Sequence, residues 1–211
     1  MIPLLSIFAS SFIIALSGAL MPGPLLTATV SESTKRGFIA GPMLILGHGI
    51  LELGLVIGLL LGLAPYLEKD IVFGTIGIAG GVIMIWMAYG MFRSLPTLTI
   101  SYEASESKQK NIVIDGILMS IANPYWILWW ATIGLGYILH SMKFGIYGVA
   151  FFFTGHIMAD LVWYATISAA IAKGRRFFSD KMYKGLIGFC ALFLLFFAGY
   201  FFYSGLNKVL A

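Results

Sequence analysis

Two copies of a Gly-His-x-x-x-acid pattern stand in this chain, Gly47-His48-Gly49-Ile50-Leu51-Glu52 and Gly155-His156-Ile157-Met158-Ala159-Asp160. Histidine and carboxylate four residues apart share one face of a helix. Each copy lies near the middle of a long apolar segment that holds no other charge. Burial disfavours charge on both groups, while mutual pairing favours it. A carboxyl poised between those effects can exchange a proton in the physiological range, which makes His48, Glu52, His156 and Asp160 candidates for proton coupling. The same four side chains form a ligand set for zinc, manganese or a similar divalent ion. Spacing alone does not show whether the two copies meet in space.

A second pair of features concerns the backbone. Met21-Pro22-Gly23-Pro24 and Ala122-Asn123-Pro124-Tyr125 interrupt two further apolar segments. Proline removes a backbone donor and pushes the preceding residue out of helical geometry. Within a bilayer, irregular backbone survives only where protein or a wet cavity covers it. The half-helix ends at such breaks suit a carboxylate at the amino end and a cation at the carboxyl end. Pro22, Gly23, Pro24, Asn123 and Pro124 are therefore candidates for substrate binding, with Tyr125 and Trp126 beside them as walls. Trp129, Trp130, Trp163 and Tyr164 lie close to these motifs and are open to either core or pocket roles.

The elements that must position these groups follow from composition. Of 211 residues, 60% are hydrophobic and 10% charged, and the mean hydropathy is +0.95. That is an integral membrane composition. A span needs about 20 apolar residues, which predicts six helices near 3–30, 37–65, 71–94, 112–139, 144–172 and 182–209. The first has no basic residue before it and is read as a retained helix rather than a signal peptide. Gly54, Gly58 and Gly62 predict a small-residue ridge for close packing on the second helix, and Gly77 and Gly81 one on the third.

The single Cys190 excludes a disulfide within the chain. No Walker-type loop and no His-Glu-x-x-His occur, so neither ATP nor metalloprotease chemistry is expected. The chain is read as a non-enzyme with no cofactor. A net charge of +4 does not point to nucleic acid, because the basic residues sort by side. Ten (Lys35, Arg36, Arg93, Lys108, Lys110, Lys173, Arg175, Arg176, Lys181 and Lys184) fall by the first, third and fifth connections, and Lys69, Lys143 and Lys208 on the other side. The positive-inside rule puts the crowded side in the cytoplasm and both termini outside.

The motifs also divide the chain. Pro22-Gly23-Pro24 in helix 1 answers Asn123-Pro124 in helix 4, and the Gly-His motifs occupy helices 2 and 5. Gly74-x-x-Gly77 with Tyr89 in helix 3 answers Gly185-x-x-Gly188 with Tyr200 in helix 6. The reading is a three-helix repeat over 1–95, a cytoplasmic linker over 96–111, and a second repeat over 112–211. Three crossings per unit make the second inverted, a common plan of secondary transporters. The expected fold is thus an all-α integral membrane protein of six helices, with helices 1 and 4 broken.

Met-Pro-Gly-Pro near the end of helix 1, Asn-Pro at helix 4 and an Asp followed by Trp-Tyr in helix 5 resemble the LysE-type amino-acid exporters, the lysine-exporter family, over essentially the full length. The resemblance implies a cell-membrane exporter that moves amino acids out of the cytoplasm by proton antiport, often as a homodimer. It maps the family motifs onto Pro22, Gly23, Pro24, Asn123, Pro124 and Asp160. Many members have Lys after Asn-Pro, where this chain has Tyr125. The alternative reading is a divalent-metal exporter that uses the two His-carboxylate pairs as ligands.

Overall fold

The computed structural model describes residues 2–67, 69–99, 111–174 and 179–210, and all regular structure among them is helical. Its elements are α1 (Ile2–Ala19), α2 (Pro24–Arg36), α3 (Ala40–Gly58), α4 (Ala64–Leu67), α5 (Asp70–Ser94), α6 (Ile112–Ile121), α7 (Pro124–Trp129), α8 (Leu135–Met142), α9 (Gly145–Lys173) and α10 (Asp180–Leu210). Among the described residues, four stretches are long and apolar enough to cross a membrane. A fifth is added if α6 and the run Pro124–Met142, bent by 65° at Asn123, count as one span. The interior of the 96–111 linker and the cations Lys108, Lys110, Arg175 and Arg176 lie outside the described residues.

Both proline motifs break their helices where the sequence says they should. The chain leaves α1 at Ala19 and restarts at Pro24, with extended backbone at Gly23. It leaves α6 at Ile121 and restarts at Pro124. In each case proline takes the first helical turn, where its missing N–H costs nothing.

Two expected boundaries shift. Helix 1 runs on to Arg36 rather than ending near 30. The polar residues after position 30 lie outside the expected span, but Thr27, Thr29 and Ser33 hydroxyls bond back to carbonyls four residues earlier, and Glu32 pairs with Lys35 and Arg36. Gly37, at φ +72°, then turns the chain into α3. Helix 2 does not continue evenly to 65: a π turn over Leu59–Leu63 contains Gly62 at φ +114°, a conformation open to glycine.

The ridge expected along Gly54, Gly58 and Gly62 is also corrected. A Cβ at Gly54 or Gly62 would meet nothing within 4 Å, and one at Gly58 meets only Leu63. The close helix approaches lie elsewhere. Gly47 and Gly116 bring α3 against the α6 backbone, Gly155 brings α9 against Phe8 and Ser11 of α1, and Gly41 packs on Tyr164. The ridge at Gly77 and Gly81 does pack, against Phe201, Gly205, Ala198 and Phe202 of α10.

These contacts fix directions. Gly41 N–H donates to Ser168 Oγ at 2.7 Å while Gly49 faces Ile157, so α3 and α9 run antiparallel. Gly74 lies by Val209 and Gly81 by Ala198, so α5 and α10 are antiparallel too. Gly18 lies by Trp129 and Gly23 by Asn123, again in opposite sense. Along α3 and α9 the apolar core is interrupted once. Leu44, Ile45, Tyr164 and Ile171 belong to one buried cluster; Val56, Leu59, Val149 and Phe152 belong to another. His48, Glu52, His156 and Asp160 form the polar layer between them.

Candidate functional site

Helical spacing turns each His-acid pair toward one side of its own helix, and the antiparallel packing of α3 on α9 turns both pairs toward each other. His48, Glu52, His156 and Asp160 each offer a ligand-capable atom, and all four atoms lie within 4.8 Å of one another. The residues are 6%, 1%, 4% and 5% exposed. The convergence that spacing left open is therefore present in the fold.

Glu52 is the hub. Its Oε1 accepts from Trp126 Nε1 at 2.9 Å and from Trp130 Nε1 at 2.7 Å, and His48 Nε2 stands 3.1 Å from the same oxygen. Its other oxygen, Oε2, is 2.9 Å from His156 Nε2, but off the axis a hydrogen bond needs. Both atoms are buried without a hydrogen-bond partner among the described residues, as are His156 Nδ1 and Asp160 Oδ2. Asp160 Oδ2 lies 3.5 Å from His156 Nε2 and 3.8 Å from His48 Nε2. Buried polar atoms left unpaired are costly, so these orphans mark where a further cation or polar ligand is expected.

His48 is oriented from behind. Ser120 Oγ donates to the Gly116 carbonyl at 2.7 Å and stands 2.7 Å from His48 Nδ1. With its hydrogen engaged, the hydroxyl accepts from Nδ1–H, which leaves Nε2 turned to the carboxylates. Sequence reasoning missed Ser120, whose one signal in the sequence is a lone hydroxyl in an apolar helix three residues before Asn123. The indole roles of Trp126 and Trp130 were half legible, as an i, i+4 pair on one face. The rings of Trp129 and Trp130 stand 4.8 and 5.3 Å from the His156 ring.

A cavity of about 490 Å³ joins this cluster to the helix breaks. Gly23, Asn123, Tyr125 and Trp126 line it, together with all four ionisable residues and Tyr164. The prolines do not. Pro22 lines a separate recess of about 210 Å³, Pro124 is buried in packing, and Pro24 opens α2. Their part is to shape the backbone. Trp163 faces an apolar groove instead.

Asn123 caps α7: its Oδ1 accepts from Tyr125 N–H at 3.2 Å, and a Cβ on Gly23 would come within 3.2 Å of its Nδ2. Asn123→Ala is expected to lower stability by about 0.5–2 kcal/mol, while Asn123→Asp, which keeps the acceptor, retains most of it. Thermal unfolding in detergent measures this; an alanine variant as stable as wild type would remove the capping role.

Comparison with known proteins follows the same lines. The family model described as LysE type translocator matches residues 16–205. A curated protein named "Putative amino acid efflux protein YcgF", from Bacillus subtilis (strain 168), is 22% identical over 209 residues, covering 98% of this chain and 100% of the relative. No solved structure matches.

Proposed function

The chain belongs to the LysE type translocator family, and from that premise we propose that it exports an amino acid or similar small zwitterion from the cytoplasm in exchange for protons. The observation that carries the reading is one buried cluster of two imidazoles and two carboxylates, opening on a cavity that reaches both helix breaks. The family and the apolar helices make it a multi-pass membrane transporter; the cell membrane, with both termini outside, is the proposed setting.

The amino ends of α2 and α7, at Gly23 and Asn123, offer backbone N–H groups and dipoles to a substrate carboxylate. The acids at the far wall of the cavity offer the complementary charge to its ammonium group. Glu52 and Asp160 take protons from outside and release them within, alternating with substrate, while His48 and His156 orient the carboxyls and share their protons. Tyr125 and Trp129 line both this cavity and a larger groove of about 1340 Å³ reaching Lys208. They stand as the partition between the site and the outer face.

The alternation itself is drawn from the repeat. Helices α3 and α9, α5 and α10, and the two broken helices each pack antiparallel against their counterpart, as units 1–95 and 112–211 related by inversion would. Such a pair supplies two similar conformations, one open to each side. Each charge carried through the potential supplies about 2.3 kcal/mol per 100 mV, enough for roughly a fifty-fold gradient of a zwitterion.

The test is efflux from loaded proteoliposomes under an imposed proton gradient, with a mixed amino-acid panel followed by mass spectrometry. Gradient-dependent loss of one amino-acid class is expected. Efflux indifferent to the gradient would remove the antiport, and no efflux of any solute would remove the exporter reading.

A further inference from the structure

We propose that the His48, Glu52, His156 and Asp160 cluster binds a single divalent transition-metal ion of the zinc class, which clamps α3 to α9. The inhibition of export that follows from this clamp rests on the transport reading above; the binding does not.

The geometry comes first. The closest nitrogen–oxygen separations across the cluster are 2.9, 3.1, 3.5 and 3.8 Å. Zinc bonds of about 2.0–2.2 Å to imidazole and carboxylate, set tetrahedrally, place neighbouring ligand atoms about 3.3–3.5 Å apart. The 2.9 and 3.1 Å separations involve different Glu52 oxygens, and with one ligand atom taken from each residue all four lie within 4.8 Å of one another, so an ion that enters draws the side chains in to that tetrahedral spacing. Glu52 Oε2, His156 Nε2 and Asp160 Oδ2 are buried and lack hydrogen-bond partners among the described residues, and all three belong to this cluster.

The surroundings are those of a ligand set held ready. Ser120 engages the Nδ1 of His48, which fixes the tautomer and leaves Nε2 free to ligate. Trp126 and Trp130 hold one oxygen of Glu52 and so aim the other inward. No Lys or Arg is part of the cluster to neutralise the two acids. A cation is what two buried carboxylates lack, whether supplied as protons or as a metal ion.

Chemistry then selects the ion. Two nitrogens and two carboxylates favour zinc or its neighbours over calcium and magnesium, which take oxygen sets of higher coordination. Four protein ligands make a closed site of the structural type, with no position left for exchange. Two ligands come from α3 and two from α9, so the ion ties together the helices whose relative movement alternation needs. It acts as a staple on the transporter, not as its cargo.

The experiment uses full-length protein purified metal-free in detergent, with cobalt as the spectroscopic probe. Intense visible bands of tetrahedral cobalt are expected, displaced by zinc and untouched by magnesium. Ser120→Ala keeps all four ligands and is expected to weaken cobalt binding about 10–100-fold. Zinc should slow hydrogen exchange in α3 and α9 and stop efflux in proteoliposomes. Absence of the cobalt bands in wild type overturns the site, whatever the transport result. Zinc that binds without protecting α3 and α9, or that itself crosses the membrane, overturns the clamp. Bands and protection in a protein that exports nothing support the clamp and instead sink the exporter reading.

Discussion

Glu52→Gln leaves a folded protein that no longer sustains an uphill amino-acid gradient. Glutamine matches the shape of glutamate, and its carbonyl still accepts from Trp126 and Trp130, now at 2.9 and 2.7 Å from Oε1. What it loses is a group that can gain and release a proton. The accumulation ratio at 100 mV should fall from about fifty toward one, while exchange down a concentration gradient continues. Asp160→Asn is expected to do the same from the other half. Glu52→Ala is a different experiment: with the residue 1% exposed, removing it strands two indole donors and two imidazoles. A cost of about 3–5 kcal/mol follows, typical of breaking a buried ionic group. Paired measurements of proton-driven uptake into inverted vesicles and of thermal unfolding separate the two effects. A Glu52→Gln transporter that still concentrates substrate would take the coupling away from this carboxyl.

Much of this arrangement was legible in the residues, and the reason is the bilayer. Where every apolar segment must satisfy its own backbone, a helix break or an ionised side chain stands out against its background. So the restarts at Pro24 and Pro124, the long helices α5, α9 and α10, and the four ionisable residues could be found by reading. The pairing within each motif followed from helical period alone. Legibility failed where tertiary contact decides. The polar residues after position 30 fall outside the expected apolar span, but hydroxyls in this stretch satisfy carbonyls of their own helix and carry it on to Arg36. Ser120 carries no signature beyond being a lone hydroxyl, and its value comes from lying opposite His48, 72 residues away. Trp126 reads as a pocket wall and Trp130 as open to core or pocket; that both donate to one carboxylate oxygen depends on how the chain turns after the break.

Glycines show the same division, and they carry the second large effect. Gly47→Ala and Gly116→Ala are each expected to lower stability by about 1–3 kcal/mol or more, the cost of forcing bulk into a packed contact. At Gly47 the added carbon lands on the Val113 carbonyl oxygen and beside Ile117 N, and at Gly116 it lands on the Leu44 carbonyl oxygen. These are backbone atoms of the facing helix, so no rotamer change relieves the clash and α3 must part from α6. Parting them also draws Ser120 from His48, so export should fall with stability. Gly155→Ala meets Ser11 Oγ and Phe8 O of α1 and should behave likewise. Gly54→Ala, on the same helix as Gly47, meets nothing within 4 Å and gains helix propensity of up to about 1 kcal/mol. Thermal unfolding and efflux of the four variants test this together, and Gly47→Ala behaving like Gly54→Ala would refute the close crossing. If the contrast holds, the repeated Gly-His-x-x-x-acid pattern has two separable parts. Its glycine lets the other half of the molecule come within backbone contact, and that approach is what carries its histidine and acid into the shared site.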